Sequence, residues 1–161
     1  MENIIIRNIK PADNITIAAI IRNSLEEFKA NKPGTVYFDA STDNLFDVFT
    51  AINSVYFIAE QGNKILGGGG IYPTQNLPAD TCELVKLYLS SAARGKGIGK
   101  LLMEKCFTTA VSMGYKKMYL ETMPELNIAV PMYEKMGFTY LQSPKGSSGH
   151  CGCDIWMIKD L

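Results

Sequence analysis

Long apolar runs are missing from this chain. The purely hydrophobic stretches are a few residues each, far short of the roughly 20 a helix needs to cross a bilayer. Net charge is missing too, because 16 Lys and Arg balance 16 Asp and Glu. A neutral chain has no whole-surface field with which to hold a nucleic acid or an anionic membrane, so neither is expected as a partner. Cysteine is scarce: the four residues at 82, 106, 151 and 153 are too few and too unevenly spread for a disulfide framework. The start, Met1-Glu2-Asn3-Ile4-Ile5-Ile6-Arg7, lacks the basic and then apolar pattern of a secretion signal. These absences point to a soluble protein in a reducing, cytoplasmic compartment.

Hydrophobic residues make up 47% of the chain and charged residues 20%, a balance that supports a packed core and excludes disorder. The 161 residues fit one domain, on a prior of roughly 100–200 residues each. No linker or repeat divides them, so 1–161 is read as a single domain. Ile4-Ile5-Ile6 with Ile9 predicts a strand closed by Pro11. Asp13 or Asn14 is placed to cap a helix carrying Ile17, Ile20, Ile21, Leu25 and Phe28 at helical spacing. Asn31-Lys32-Pro33-Gly34 breaks it. Thr42 is expected to cap a second helix with Leu45, Phe46, Phe49 and Ile52. Residues 56–59 and 65–72 read as a hairpin.

The segment 83–90 is the most strand-like in the chain. A helix starting near Ile98 carries the stripe Ile98, Leu102, Cys106, Ala110 and Met113 and ends at Gly114. Residues 117–122 predict a strand, 126–136 a helix stopped by Gly137, and 138–141 and 154–159 two strands joined by a polar loop. This order predicts an α/β domain with a mostly antiparallel first half and a strand–helix–strand crossover in the middle.

The sharpest local feature is Arg94-Gly95-Lys96-Gly97-Ile98-Gly99-Lys100, between a strand and a helix. A helix start leaves amide donors unpaired and carries about half a positive charge. Glycines let a bulky anion approach the backbone, so such a turn suits phosphate. A P-loop does not fit: three residues, not four, separate Gly95 from Gly99-Lys100, and Leu101 stands where Ser or Thr is needed. The dinucleotide fingerprint G-x-G-x-x-G does not fit either, because position 100 is lysine.

The segment resembles the pyrophosphate loop of the GNAT family of N-acetyltransferases, Gln/Arg-x-x-Gly-x-Gly/Ala, through Arg94, Gly97 and Gly99. Some 30 residues on, the stretch from Asn127 through Tyr133 to Gly137-Phe138 resembles the family's second signature, in the same order along the chain. The resemblance implies a mixed sheet of about seven strands flanked by about four helices. It implies acetyl-CoA as acetyl donor, with no metal, and direct attack by a primary amine in a ternary complex. Backbone amides of Gly95, Lys96, Gly97, Ile98, Gly99 and Lys100 would hold the pyrophosphate, with Arg94 at the head of the motif. Leu87 and Leu89 would pair through main chain with the pantetheine arm, and the Leu87 amide would polarise the thioester carbonyl. Asn127 matches a position that meets the cofactor arm, and Tyr133 the one that protonates the leaving thiolate.

An alkylammonium titrates near 10, so its lone pair must be freed, by a protein base or by water, unless the amine arrives neutral. Glu83 matches the acidic residue that the protein-acetylating branch of the family uses, and Glu121 is a reserve. Strict alternation puts Glu83, Val85, Leu87 and Leu89 on one face, with Glu83 roughly 13 Å from Leu87 along the strand. The acceptor is expected to be a small amine or amino acid. A protein N-terminal or lysine amine, or a cofactor-binding sensor without turnover, stays open, as does a homodimer. His150-Cys151-Gly152-Cys153 has the wrong spacing for zinc, and His150 reads as a solvated loop residue. Gly67–Gly70 marks a bulge or a close backbone approach, and Trp156 is expected in the core.

Overall fold

The computed structural model describes residues 2–161. The strands are β1 (Ile4–Asn8), β2 (Val55–Gln61), β3 (Lys64–Tyr72), β4 (Thr81–Leu89), β5 (Lys117–Thr122), β6 (Thr139–Leu141) and β7 (Ile155–Asp160). They form one sheet in the order β1-β2-β3-β4-β5-β7-β6. Only β4 and β5 run parallel, and the others pair antiparallel. The helices are α1 (Asn14–Glu27), α2 (Leu45–Val48), α3 (Ile98–Ser112) and α4 (Ala129–Lys135). The mixed sheet and four helices agree with the expected architecture. No helix among the described residues is long and apolar enough to cross a membrane.

Two cores lie on opposite faces of the sheet. Ile98, Leu102, Cys106 and Ala110 of α3 are fully buried against Phe57, Ala59, Met118 and Leu120. Ile17, Ile21 and Leu25 of α1 pack on the other face against Tyr56 and Ile58. Residues 56–59 thus bury both faces of β2, which is why that segment reads as a continuous apolar run rather than an alternating one.

The expected helix boundaries, the helix caps and the place of Trp156 are corrected. The second helix is only Leu45–Val48. Thr42 does not cap it: its hydroxyl donates to Val36 O (2.8 Å), and Ile52 is 85% exposed. Asp39, Asp43 and Asn44 favour local turns over helix here, and two 3-10 turns take up the chain. Neither candidate caps α1 through its side chain. Asp13 instead pairs with Arg7 (2.8 Å), and Asn14 Oδ1 accepts from Phe46 N–H (3.0 Å). Trp156 is half-buried and belongs to neither core cluster. The helix α4 also begins three residues later than expected, with Pro131 in its first turn, where a missing N–H breaks no bond.

The glycine run proves to be a close approach. A Cβ on Gly68 would lie 2.6 Å from Tyr56 Cε1, and one on Gly70 would lie 2.4 Å from Val55 O. The Tyr56 ring crosses β3 there, and its hydroxyl donates to Lys86 O (2.8 Å). Gly68→Val should therefore lower the unfolding free energy by about 1–3 kcal/mol through overpacking. A urea midpoint equal to the parent's would contradict this close packing.

Where β3 pairs with β4 the bulge sits in β4 rather than in the glycine run, while where β3 pairs with β2 an extra residue, Leu66, lies just before that run. Gly70 pairs with Val85 and Gly68 with Tyr88, so three steps of β4 match two of β3. Lys86 takes up the extra residue with φ +51°. The alternation inverts at that point. Cys82 and Leu84 face the α3 core, and so do Leu87 and Leu89, while Tyr88 packs on the α1 side. Glu83 therefore does not share a face with Leu87 and Leu89. Strict alternation fails because an inserted residue shifts every later side chain to the other face.

Candidate active site

The β4–β5 crossover opens the site. These strands pair only from Thr81↔Lys117 to Glu83↔Tyr119, so beyond Glu83 one edge of β4 has no partner strand. On the other edge Ser90 N–H donates to Leu66 O (2.8 Å). Period-two geometry then directs the main chain of Tyr88 to β3 and that of Leu87 and Leu89 to the open edge. The Leu89 carbonyl is taken by Ser24 Oγ (2.9 Å) and Arg94 Nη2 (3.1 Å). The open edge is left with Leu87 N–H and C=O and Leu89 N–H.

The α3 N-terminus stands at the end of that edge. Its N-cap, Gly97, has φ +76°, a left-handed backbone that glycine adopts without strain. The first helical bond runs from Leu101 N–H to Gly97 O (3.1 Å), so the amides of Ile98, Gly99 and Lys100 have no partner within the helix. A Cβ on Gly95 or Gly97 would meet nothing within 4 Å, whereas one on Gly99 would press Met132 Sδ at 3.2 Å. The loop thus has open space over Gly95 and Gly97 and a packed contact to α4 under Gly99. The Arg94 side chain turns back onto α1: it pairs with Glu27 (2.5 Å) and lies over the Phe28 ring at 4.7 Å. Lys96 and Lys100 are exposed.

A cavity of about 300 Å³ joins these features, with Leu87, Leu89 and Gly97 on its wall together with Glu83, Tyr133 and His150. Of the expected site residues, Lys96 and Asn127 do not line it; Asn127 is exposed in the turn before α4, between cavity-lining Leu126 and Ile128. Tyr133 projects from α4 and is 7% exposed. Burial raises its phenol above the usual range, with no hydrogen bond contributing, so the hydroxyl is protonated.

Glu83 is 3% exposed and accepts from Thr74 Oγ1 (2.5 Å). Burial pushes its carboxyl up to about 7; Glu121 adds to the rise, while Thr74, His150 and Lys86 oppose it. Glu121 is engaged by Tyr119 Oη (2.6 Å) and by Ser148. Lys86 is lowered by burial against the pull of Asp39 and Glu83. Cys153 also lines the cavity, and burial pushes its thiol up to about 12. Burial thus favours the neutral thiol over the thiolate.

His150 is not a solvated loop residue. Its Nε2 lies 2.7 Å from Asp39 Oδ2, and its side chain is 12% exposed. One atom each from Glu83, Glu121 and His150 falls within 4.8 Å of the others, an arrangement within reach of a cation. Each of the three has a protein partner as well. Asp39 escaped the sequence reading because it lies 111 residues from His150, and no local pattern marks a pair so distant.

Comparison with known proteins decides the family. The model of the Acetyltransferase (GNAT) family matches residues 20–138. The chain belongs to the GNAT family. It is therefore an acetyl-CoA-dependent N-acetyltransferase by class. It is 36% identical over 159 residues to the uncharacterized N-acetyltransferase YjgM of Escherichia coli, covering 98% of this chain and 95% of that one. A GNAT acetyltransferase from Staphylococcus aureus superposes with a TM-score of 0.87 at 18% identity, over 99% of both chains. The PaiA N-acetyltransferase of Thermoplasma acidophilum, solved with coenzyme A, gives 0.78 at 20% identity over 99% of both chains. At such identities the two structures speak for the GNAT fold alone.

Proposed function

We propose that this GNAT protein transfers acetyl from acetyl-CoA to the primary amine of a small molecule or amino acid, by direct attack in a ternary complex. One observation carries the reading: the unpaired β4 edge, the uncapped α3 start, Tyr133 and Glu83 all open into a single cavity. Open space over Gly95 and Gly97 supports the fit of a pyrophosphate, with the amides of residues 95–100 as donors. Leu87 and Leu89 offer main-chain groups to the pantetheine arm, as an added strand would use them. Arg94 acts by fixing the loop to α1, and Asn127 as a contact at the rim. Acetyl-CoA supplies the activated acyl carbon and a thiolate leaving group.

The Leu87 amide polarises the carbonyl being attacked. Glu83 takes the proton from the acceptor ammonium, and Tyr133 Oη–H donates to the departing sulfur. The neutral Cys153 thiol favours direct transfer over an acyl-cysteine.

Free-thiol release from acetyl-CoA, measured across a panel of amines, amino acids and peptides, tests the reading. Turnover with small amines is expected; binding with no turnover would make the chain a sensor. Gly97→Ala supplies a second test. The added Cβ meets no atom, but the left-handed backbone should cost about 1–2 kcal/mol of stability, and calorimetry should record weaker CoA binding. Unchanged affinity would remove the loop from the binding site.

A further inference from the structure

Glu83 has a problem that its burial creates. A base must shed the proton it takes before the next turnover, and a residue 3% exposed has little direct access to bulk water. The groups facing it are Lys86 on its own strand, Thr74 before β4, Glu121 on β5, and His150 and Cys153 on the loop before β7. Thr74 donates to Glu83, the Glu121 carboxylate is held by Tyr119 and Ser148, and Lys86 lies 3.7 Å from Asp39. The Cys153 thiol has no lone pair basic enough to relay a proton.

His150 differs from all of these. It is the only histidine in the chain. Nε2 lies 2.7 Å from Asp39 Oδ2, and a carboxylate partner fixes an imidazole as the Nε2–H tautomer with the lone pair on Nδ1. No side-chain hydrogen bond among the described residues engages that second nitrogen. The imidazole is within 4.8 Å of Glu83 and Glu121 oxygens, a gap that a side-chain rotation or one water closes. Side-chain exposure then rises from 12% at His150 to 32% at Asp39, so the path leads outward.

We propose that His150, oriented by Asp39, is the proton exit of this active site. Resting on the assignment of Glu83 as base, the relay has two steps. The O–H bond formed on Glu83 breaks as an N–H bond forms on His150, which restores the carboxylate. The imidazolium then gives its proton to water and returns to neutral. His150 is a positioning and relay residue: it acts on the acceptor through Glu83.

The single histidine makes the test direct. In protein labelled with ¹⁵N-histidine, the imidazole signals at pH 8 should report a protonated Nε2 and a bare Nδ1. Asp39→Asn should abolish that preference, and Glu83→Gln should move the histidine titration. Kinetically, His150→Gln should lower kcat about 10²-fold with KM for acetyl-CoA unchanged, and added imidazole should restore turnover in proportion to its free-base concentration. The opposite tautomer, or a histidine titration indifferent to Glu83→Gln, overturns the relay even if no amine in the panel is accepted. So does a His150→Gln enzyme with parental kcat, or rescue by non-basic pyrazole as good as that by imidazole. If His150→Gln is unaffected while Glu83→Gln is crippled, only the exit fails. If Glu83→Gln keeps the parental pH profile, the base assignment itself fails.

Discussion

Replacing Tyr133 by Phe should lower kcat by about 10²–10⁴-fold while the affinity for CoA stays at the parental value. The split follows from where the hydroxyl sits. The ring belongs to the α3-side core and meets Phe138 edge-on, with centroids 5.9 Å apart. Phenylalanine keeps that packing. Among the described residues the hydroxyl makes no hydrogen bond, and it opens on the cavity, so its loss leaves no stranded partner. Burial holds the phenol protonated well above neutral pH, and protonation is the state in which it can donate to a thiolate. Thiol release and calorimetry on the same preparation check the two halves. Turnover within a few-fold of the parent would remove Tyr133 as the acid, and unfolding of the variant would point to a packing role instead.

Replacing Glu83 by Gln should act on activity and stability in opposite directions. In the parent, kcat/KM should climb as pH rises through about 7, as the carboxyl that burial has pushed up to that value ionises. Gln cannot take a proton, so this rise should vanish and the rate should fall about 10²-fold. For stability, the folded carboxyl releases its proton near 7, while its ordinary value is 4.5. Between these values the native state binds more protons than the unfolded one, so stability declines as pH rises across that window and levels off above it. The whole decline is worth about 3 kcal/mol at ~1.4 kcal/mol per pH unit. The Gln variant lacks it and should be the more stable protein at pH 8. Urea unfolding of both proteins at pH 5 and pH 8 reads the difference; equal changes with pH would mean that Glu83 is not held as a neutral acid.

Much of this site is local in sequence, which is why it could be read early. The loop proposed to hold the phosphates combines a helix start, left-handed glycines and unpaired amides, and all three are set by consecutive residues from Arg94 to Lys100. Tyr133 and Gly137-Phe138 likewise lie within one helix and its stop. The fold followed for a related reason: the apolar periods of α1, α3 and the strands are strong, and parallel β4 and β5 need a crossover helix between them.

What failed to show was non-local. The bulge at Lys86 depends on how β4 registers with the glycine-lined β3, so alternation put Glu83 on the wrong face. Thr42 has the residue type of a cap, but its hydroxyl donates to the Val36 carbonyl, a contact set by the turn and not by helix pattern.

The residues by themselves determined the family, the layered architecture and the glycine-rich turn that opens α3, because each is written in contiguous patterns of propensity and spacing. Only the tertiary structure decided which way Glu83 faces, how strongly it holds its proton, and that Asp39 and His150 meet beside it. Burial and charge proximity belong to groups brought together from β4, β5 and two separate loops, and no one-dimensional pattern encodes a dielectric environment assembled from segments more than 100 residues apart.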